Sequence, residues 1–120
     1  MTVRRLKTYV GAQGYVYQYY FVGSRPARAG YIGPAAIEYV FDVTSDRKTT
    51  FSVSIFLEQN SLAAWTAAHG RQLTAAEQYA AAKLRLFRGF DEIEDMMSEG
   101  RKLALDAPLL EELLTTVGVT

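Results

Sequence analysis

Residues 37–58 read IEYVFDVTSDRKTTFSVSIFLE, and this stretch decides the fold. Apolar and polar side chains alternate on both sides of the polar segment 45–48. Because successive side chains of a strand point to opposite faces, the alternation predicts a hairpin of two half-buried strands, 37–44 and 49–58. The face expected in the core carries Ile37, Phe41, Phe51, Val53 and Ile55.

The chain before this hairpin carries two more β-prone runs, 3–10 and 15–22. The four residues between them include two glycines, which supply the positive φ that tight hairpin loops need. The second run is apolar or aromatic on both faces, as is typical of a strand central in its sheet. Residues 23–36 contain three glycines and two prolines, so we predict an irregular loop there, and loops of this length often carry function.

After the hairpin the apolar spacing becomes helical. A short helix is predicted over 61–69, with Gly70 ending it. A Thr-x-x-Glu capping box opens a long helix over 74–98, which is expected to lie on the sheet. A third helix is predicted over 108–117, with Pro108 in its first turn. Its leucine-rich face must dock on the domain's own core or on another chain, since so short a helix is marginal alone.

Together these signals predict a single α+β domain over residues 1–120. An antiparallel β-meander of three to four strands forms the first half, 1–58. Two to three helices form the second half, 59–120, and pack on one face of the sheet.

Composition excludes several classes of function. Thirteen basic residues balance thirteen acidic ones, so no net charge draws the chain toward nucleic acid or an anionic membrane. The absence of cysteine excludes disulfides, thiolate zinc sites and cysteine nucleophiles. The acidic residues within 91–95 lack the loop spacing of a calcium site and indicate a solvated helix face. No apolar run approaches the ~20 residues that span a bilayer, so we expect a cytoplasmic protein without membrane anchor, metal or cofactor.

Tyrosines are concentrated in residues 15–20 and support two interpretations. Rings on an open sheet face can stack on the bases of a single-stranded nucleic acid, with the basic residues of the first strand contacting phosphates. Tyrosine is also a favoured strand residue with an apolar body and a polar tip, which favours a structural role. The nucleic-acid alternative uses Tyr15, Tyr17 and Tyr19.

A second alternative is a small-ligand site or an active site. Arg25 and Arg28 can clamp a carboxylate or phosphate, and Tyr31 lies in the same predicted loop. His69 is the only histidine, but no motif supplies the orienting partner or reacting group that a general base needs. We therefore assign no catalytic residue and favour a protein that is not an enzyme.

The leading hypothesis is a non-enzymatic interaction domain that self-associates through the outer face of its sheet or through the C-terminal helix. Exposed apolar patches tend to mark partner sites, and five apolar residues are expected on the sheet face away from the long helix. These residues are Val16, Tyr20, Val22, Val40 and Phe56. A homo-oligomer is expected, and another protein partner remains an alternative.

Overall fold

The computed structural model describes residues 6–28 and 33–120, which contain five strands and four helices. In chain order the elements are β1 (Lys7–Val10), β2 (Val16–Arg28), β3 (Ala35–Thr44), β4 (Phe51–Glu58), α1 (Gln59–His69), α2 (Ala75–Glu92), α3 (Met96–Glu99), β5 (Lys102–Leu105) and α4 (Ala107–Thr116). The sheet order is β1-β2-β3-β4-β5, with β1 to β4 antiparallel and β5 parallel to β4. The predicted α+β class is confirmed, but the sheet is mixed and five-stranded, not an antiparallel meander of three to four strands.

The central hairpin forms as its alternation predicts. β3 pairs with β4 so that Phe41 lies opposite Val53 and Tyr39 lies opposite Ile55. Phe41, Val53 and Ile55 have no exposed surface. Asp46 holds the turn, because its carboxylate accepts hydrogen bonds from two backbone N–H groups that follow it.

β1 and β2 form the N-terminal hairpin, in which Lys7 pairs with Tyr19. The predicted strand 3–10 is present from Lys7 onward, and residues 3–5 lie outside the described part of the chain. The loop is closed by a hydrogen bond from the Gly11 N–H to the Tyr15 carbonyl, with an N···O distance of 2.9 Å.

The strand β2 continues beyond its predicted end. Residues 23–28 pair with the first half of β3, so much of the predicted irregular loop 23–36 is regular sheet. The prediction was wrong because glycine and proline weaken a strand without forbidding it at an edge. A bulge between Phe21 and Gly23 absorbs the glycine. β1 pairs with β2 only as far as Tyr19, so β2 is an edge strand at Pro26. The missing N–H of Pro26 can therefore face the side that has no neighbouring strand.

The boundary between α1 and α2 lies where local signals place it. Gly70 ends α1 with φ of 72°, a left-handed conformation that glycine adopts without strain. The Thr74 side chain accepts the Glu77 N–H while the Glu77 carboxylate accepts the Thr74 N–H, which completes the predicted capping box. Hydrogen bonds to that carboxylate, first from Arg71 and then from the Thr74 backbone, lower the pKa of Glu77 to about 2.

α2 is shorter than the predicted helix 74–98. It ends at Glu92, and Ile93 is extended, with φ of −102° and ψ of 117°. Asp95 then begins α3, where its side chain accepts the Ser98 N–H. An aspartate side chain can accept hydrogen bonds from nearby backbone N–H groups, which competes with the hydrogen bonds of a continuous helix. Asp95 therefore begins a new short helix at a point where the apolar spacing predicts that α2 continues.

β5 is the element that sequence reasoning missed, because its segment was assigned to a link between helices. Leu103 and Leu105 point into the core while Lys102 and Ala104 are exposed. Four residues are too few for this alternation to identify a strand. At this edge of the sheet Arg85 of α2 donates from Nε to the Ala104 carbonyl at 2.8 Å.

The helices cover one face of the sheet and enclose the core. α4 begins as predicted, with Asp106 accepting the Leu109 N–H, and it packs against α1 and α2. The rings of Tyr17 and Phe90 stack between sheet and α2, with centroids 4.1 Å apart. Of the predicted core face, Phe41, Phe51, Val53 and Ile55 are buried and Ile37 is partly buried.

Within residues 6–28 and 33–120, none of the helices has the length and apolar character needed to cross a bilayer.

Candidate functional site

The sheet face away from the helices, here called the outer face, carries exposed apolar side chains. Val10 and Val16 are paired across β1 and β2, and 63% and 48% of their surfaces are exposed. Val22, further along β2, is 39% exposed. On this side of the outer face, here called the valine strip, Val10 and Val16 form an apolar pair. Val22 lies six residues further along β2, beyond Gln18 and Tyr20 of the same face.

The residues predicted for an interface all lie on β2, β3 or β4, but they differ in exposure. Val16 and Val22 are exposed, whereas Tyr20 and Val40 are half-buried. Phe56 is only 8% exposed, so it contributes little surface to a partner. The accessible part of the outer face is therefore its β1–β2 side.

Two acidic side chains of the outer face accept hydrogen bonds within the chain. Glu38 lies between Arg25, whose Nε donates to Oε1 at 2.8 Å, and Ser54, whose hydroxyl donates to Oε2 at 2.5 Å. The hydrogen bond from Arg25 lowers the pKa of Glu38, burial opposes this effect, and the bond from Ser54 adds to it. Nearby, the Tyr20 hydroxyl donates to Asp42 at 2.7 Å. Arg25 thus neutralises Glu38, whereas the neutral Tyr20 hydroxyl leaves the negative charge of Asp42 in place.

A shallow depression of about 250 Å³ lies at the bulge of β2. Val22 and Val40 form its apolar part, and Arg25 lies at its polar side. Two of the predicted interface residues and one predicted ligand residue are therefore brought together here.

Of the other predicted ligand residues, those that the structure describes do not line this depression. Arg28 donates from Nη1 to the Gly33 carbonyl at 3.2 Å. Tyr31 lies outside the described residues. His69 ends α1, among the helices on the opposite side of the sheet from Arg25.

His69 has an orienting partner that sequence reasoning missed. Its Nε2 lies 2.7 Å from a carboxylate oxygen of Glu111 in α4. Its ring stacks on Trp65, with centroids 4.1 Å apart. Glu111 is 42 residues further along the chain, so no local motif could reveal the pair. The contacts hold the imidazole between α1 and α4.

The tyrosines of the nucleic-acid alternative lie mainly in the core. Tyr17 and Tyr19 are 2% and 4% exposed, and both rings contact Phe90 of α2. Tyr15 is 44% exposed. Of these three rings, the structure presents only that of Tyr15 to a ligand.

Within the described ranges, no group of three or more histidine, aspartate or glutamate side chains is arranged to hold a metal ion. In the acidic segment 91–95, Asp91 accepts hydrogen bonds from the Tyr9 hydroxyl and the Ala12 N–H, each at 2.9 Å. Asp91 therefore ties the N-terminal hairpin to the end of α2.

No family model matches the chain, and no curated protein or solved structure matches it either.

Proposed function

We propose that the chain is a non-enzymatic interaction domain of the cytoplasm whose partner is a second copy of itself. The observation that carries the proposal is the strip of exposed valines, Val10, Val16 and Val22, on the face that the helices leave open. Apolar patches of this kind mark partner sites. The absence of cysteine suits a reducing compartment.

The C-terminal helix is the weaker of the two predicted interfaces. Leu110, Leu113 and Leu114 are at most 5% exposed, because α4 packs against α1 and α2 of the same chain. The apolar face of α4 is therefore buried against helices of the same chain, and it does not cover the outer face. The outer face is the surface we assign to self-association.

A second copy suits this surface because the three valines carry no charge. On the same face Arg25 is paired with Glu38, so this cation is already neutralised before an acidic partner could bind it. An apolar strip can contact its own copy across a two-fold axis. A stable interface of standard size buries roughly 800 Å² per partner. This is about a tenth of the 7078 Å² surface of the chain.

Sedimentation velocity over a range of protein concentrations tests the proposal with two matched variants. Val16→Lys places a charge in the strip, and we expect it to weaken dimerisation roughly 10-fold or more, because two like charges meet across the axis. Val117→Lys is the control, since Val117 is 53% exposed at the end of α4 and Val16 is 48% exposed. Both positions are surface sites, so neither change should unfold the domain.

The wild-type chain is expected to dimerise, and the Val117→Lys variant should dimerise equally well. A wild-type chain that stays monomeric at millimolar concentration would refute self-association. Loss of the dimer with Val117→Lys but not with Val16→Lys would move the interface to the C-terminal helix.

A further inference from the structure

A cavity of about 640 Å³ opens where α3 meets the start of β2 and the hairpin of β3 and β4. Tyr15, Tyr17 and Phe51 form its aromatic wall, and residues 94–99 form the opposite wall. Small-molecule sites typically measure roughly 300–1,000 Å³ and combine apolar walls with a few polar groups. The cavity has this size, and its lining combines aromatic and methionine side chains with acidic and serine side chains. It involves rings from the helix-covered face of the sheet, so it is distinct from the outer face.

The Tyr17 hydroxyl is a buried polar group with a free hydrogen-bonding capacity at this cavity. The side chain is 2% exposed, and its ring is held on Phe90 at a centroid distance of 4.1 Å. Among the described residues, this hydroxyl forms no hydrogen bond. In the same part of the chain, every side-chain oxygen that is fully enclosed has a hydrogen-bond partner. The hydroxyl must therefore reach open space, and the cavity is the space that Tyr17 lines.

The charge of the cavity wall is negative. Glu94, Asp95 and Glu99 line it, and in the described part of the chain none of these three carboxylates forms an ion pair. The Arg101 guanidinium lies 5.7 Å from the centre of the Phe51 ring and donates to a backbone carbonyl. Burial raises the pKa of Tyr17, with Tyr15 and Asp95 adding to the effect, so its hydroxyl stays neutral at physiological pH.

We propose that this cavity binds an organic cation of the alkylammonium class. The ammonium donates to the Tyr17 hydroxyl oxygen and to the carboxylates of Glu94 and Glu99, and its alkyl chain lies against Tyr15 and Met97. Charge-assisted hydrogen bonds to carboxylates are stronger than neutral ones, and aromatic faces attract ammonium groups. Met97 is 42% exposed, and its flexible thioether adapts to an apolar chain.

The arrangement favours an organic cation over a metal ion. The carboxylates do not converge into a group that could hold a metal within the described residues. Glu94 and Glu99 line a wall that faces aromatic rings, which suits a cation with an apolar body. A neutral ligand of the same shape would leave the carboxylates without a counter-charge, which costs binding free energy.

The test uses n-butylammonium and its neutral analogue n-butanol as probes, with binding followed by NMR chemical-shift titration of the whole chain. We expect saturable binding of butylammonium at the residues around the cavity, weakened by added salt, and much weaker binding of butanol. Tyr17→Phe removes only the hydroxyl and should lower the association constant roughly 2- to 10-fold, the range of one hydrogen bond. Tyr19→Phe is the matched control, because Tyr19 is an equally buried ring that does not line the cavity.

A second variant carries the charge part of the test. Glu94→Gln with Glu99→Gln alters two exposed side chains and should lower butylammonium binding further while leaving the fold intact. Equal binding of butanol and butylammonium, unchanged binding in this double variant, or the absence of saturable binding by the wild-type chain would each overturn the proposal. None of these outcomes depends on whether the outer face dimerises.

Discussion

Replacing Phe90 with alanine should destabilise the domain more than any other single aromatic truncation at the interface of the sheet and α2. Phe90 has no exposed surface. Its ring lies 4.1 Å from Tyr17, 5.7 Å from Tyr9 and 6.2 Å from Tyr19, measured between centroids. Loss of the side chain therefore leaves a cavity bordered by three strand residues that are held in place by β1 and β2.

The expected loss is about 3–5 kcal/mol, the range for buried phenylalanine truncations. Much of it is lost transfer and contact energy, and the stacked ring pair adds about 0.5–1.5 kcal/mol. A domain of this length has about 6–18 kcal/mol of stability in total. The Phe90→Ala variant should therefore fold but lose a large part of its unfolding free energy.

Urea denaturation followed by circular dichroism and by the fluorescence of Trp65, which is 3% exposed, measures this loss. Phe21→Ala is the matched control, because Phe21 belongs to the same aromatic cluster but is 36% exposed. It should cost about 1–2 kcal/mol. If Phe90→Ala cost no more than Phe21→Ala, the packing described for α2 on the tyrosine strand would be wrong.

Three further predictions follow from local geometry. Gly11→Ala should lower the melting temperature in thermal denaturation, because the new Cβ would lie 2.8 Å from a backbone carbonyl oxygen of α2. Gly23→Ala is the control and should be tolerated, because its new Cβ meets nothing within 4 Å. Thr74→Ala removes the capping side chain of α2 and should cost about 1 kcal/mol in urea denaturation; an unchanged midpoint would contradict the cap. Glu77 has a folded pKa of about 2 against an ordinary 4.5, so its contribution is complete above pH 4.5 and is lost as pH falls toward 2. As the pH is lowered through this window, the unfolding free energy should therefore fall more steeply for the wild-type chain than for Glu77→Gln.

The features predicted correctly from sequence are those with local causes. The alternation in 37–44 and 49–58 specified both strands and their buried face, because a one-residue shift would move every apolar side chain to solvent. Thr74 and Glu77 are three residues apart, so their capping box is visible in the sequence.

The features that were missed depend on residues far apart in the chain. β5 is a strand because Leu103 and Leu105 align with Ile55 and Leu57, more than forty positions earlier. Its four residues carry too weak a local signal to indicate this pairing. The break after Glu92 has a local cause instead: Asp95 accepts the N–H of Ser98, three residues ahead, and apolar spacing does not reveal this cap.

The candidate sites show the same division. Alternation along the strand predicts Val16 and Val22 on the outer face, and both side chains are exposed. The partner of His69 and the orientation of the Tyr17 hydroxyl toward the cavity depend on how helices dock on the sheet. No spacing along the chain encodes those contacts.

The two edges of the sheet differ in a way that limits how copies can grow into larger structures. At the β5 edge, the Ala104 carbonyl is already occupied by the Arg85 guanidinium, so an incoming strand would have to displace that side chain. Edge-to-edge growth into a fibre needs both edges of every sheet to be free. We therefore expect an incoming strand to bind less readily at β5 than at an edge whose carbonyls are unoccupied, which disfavours growth through this edge.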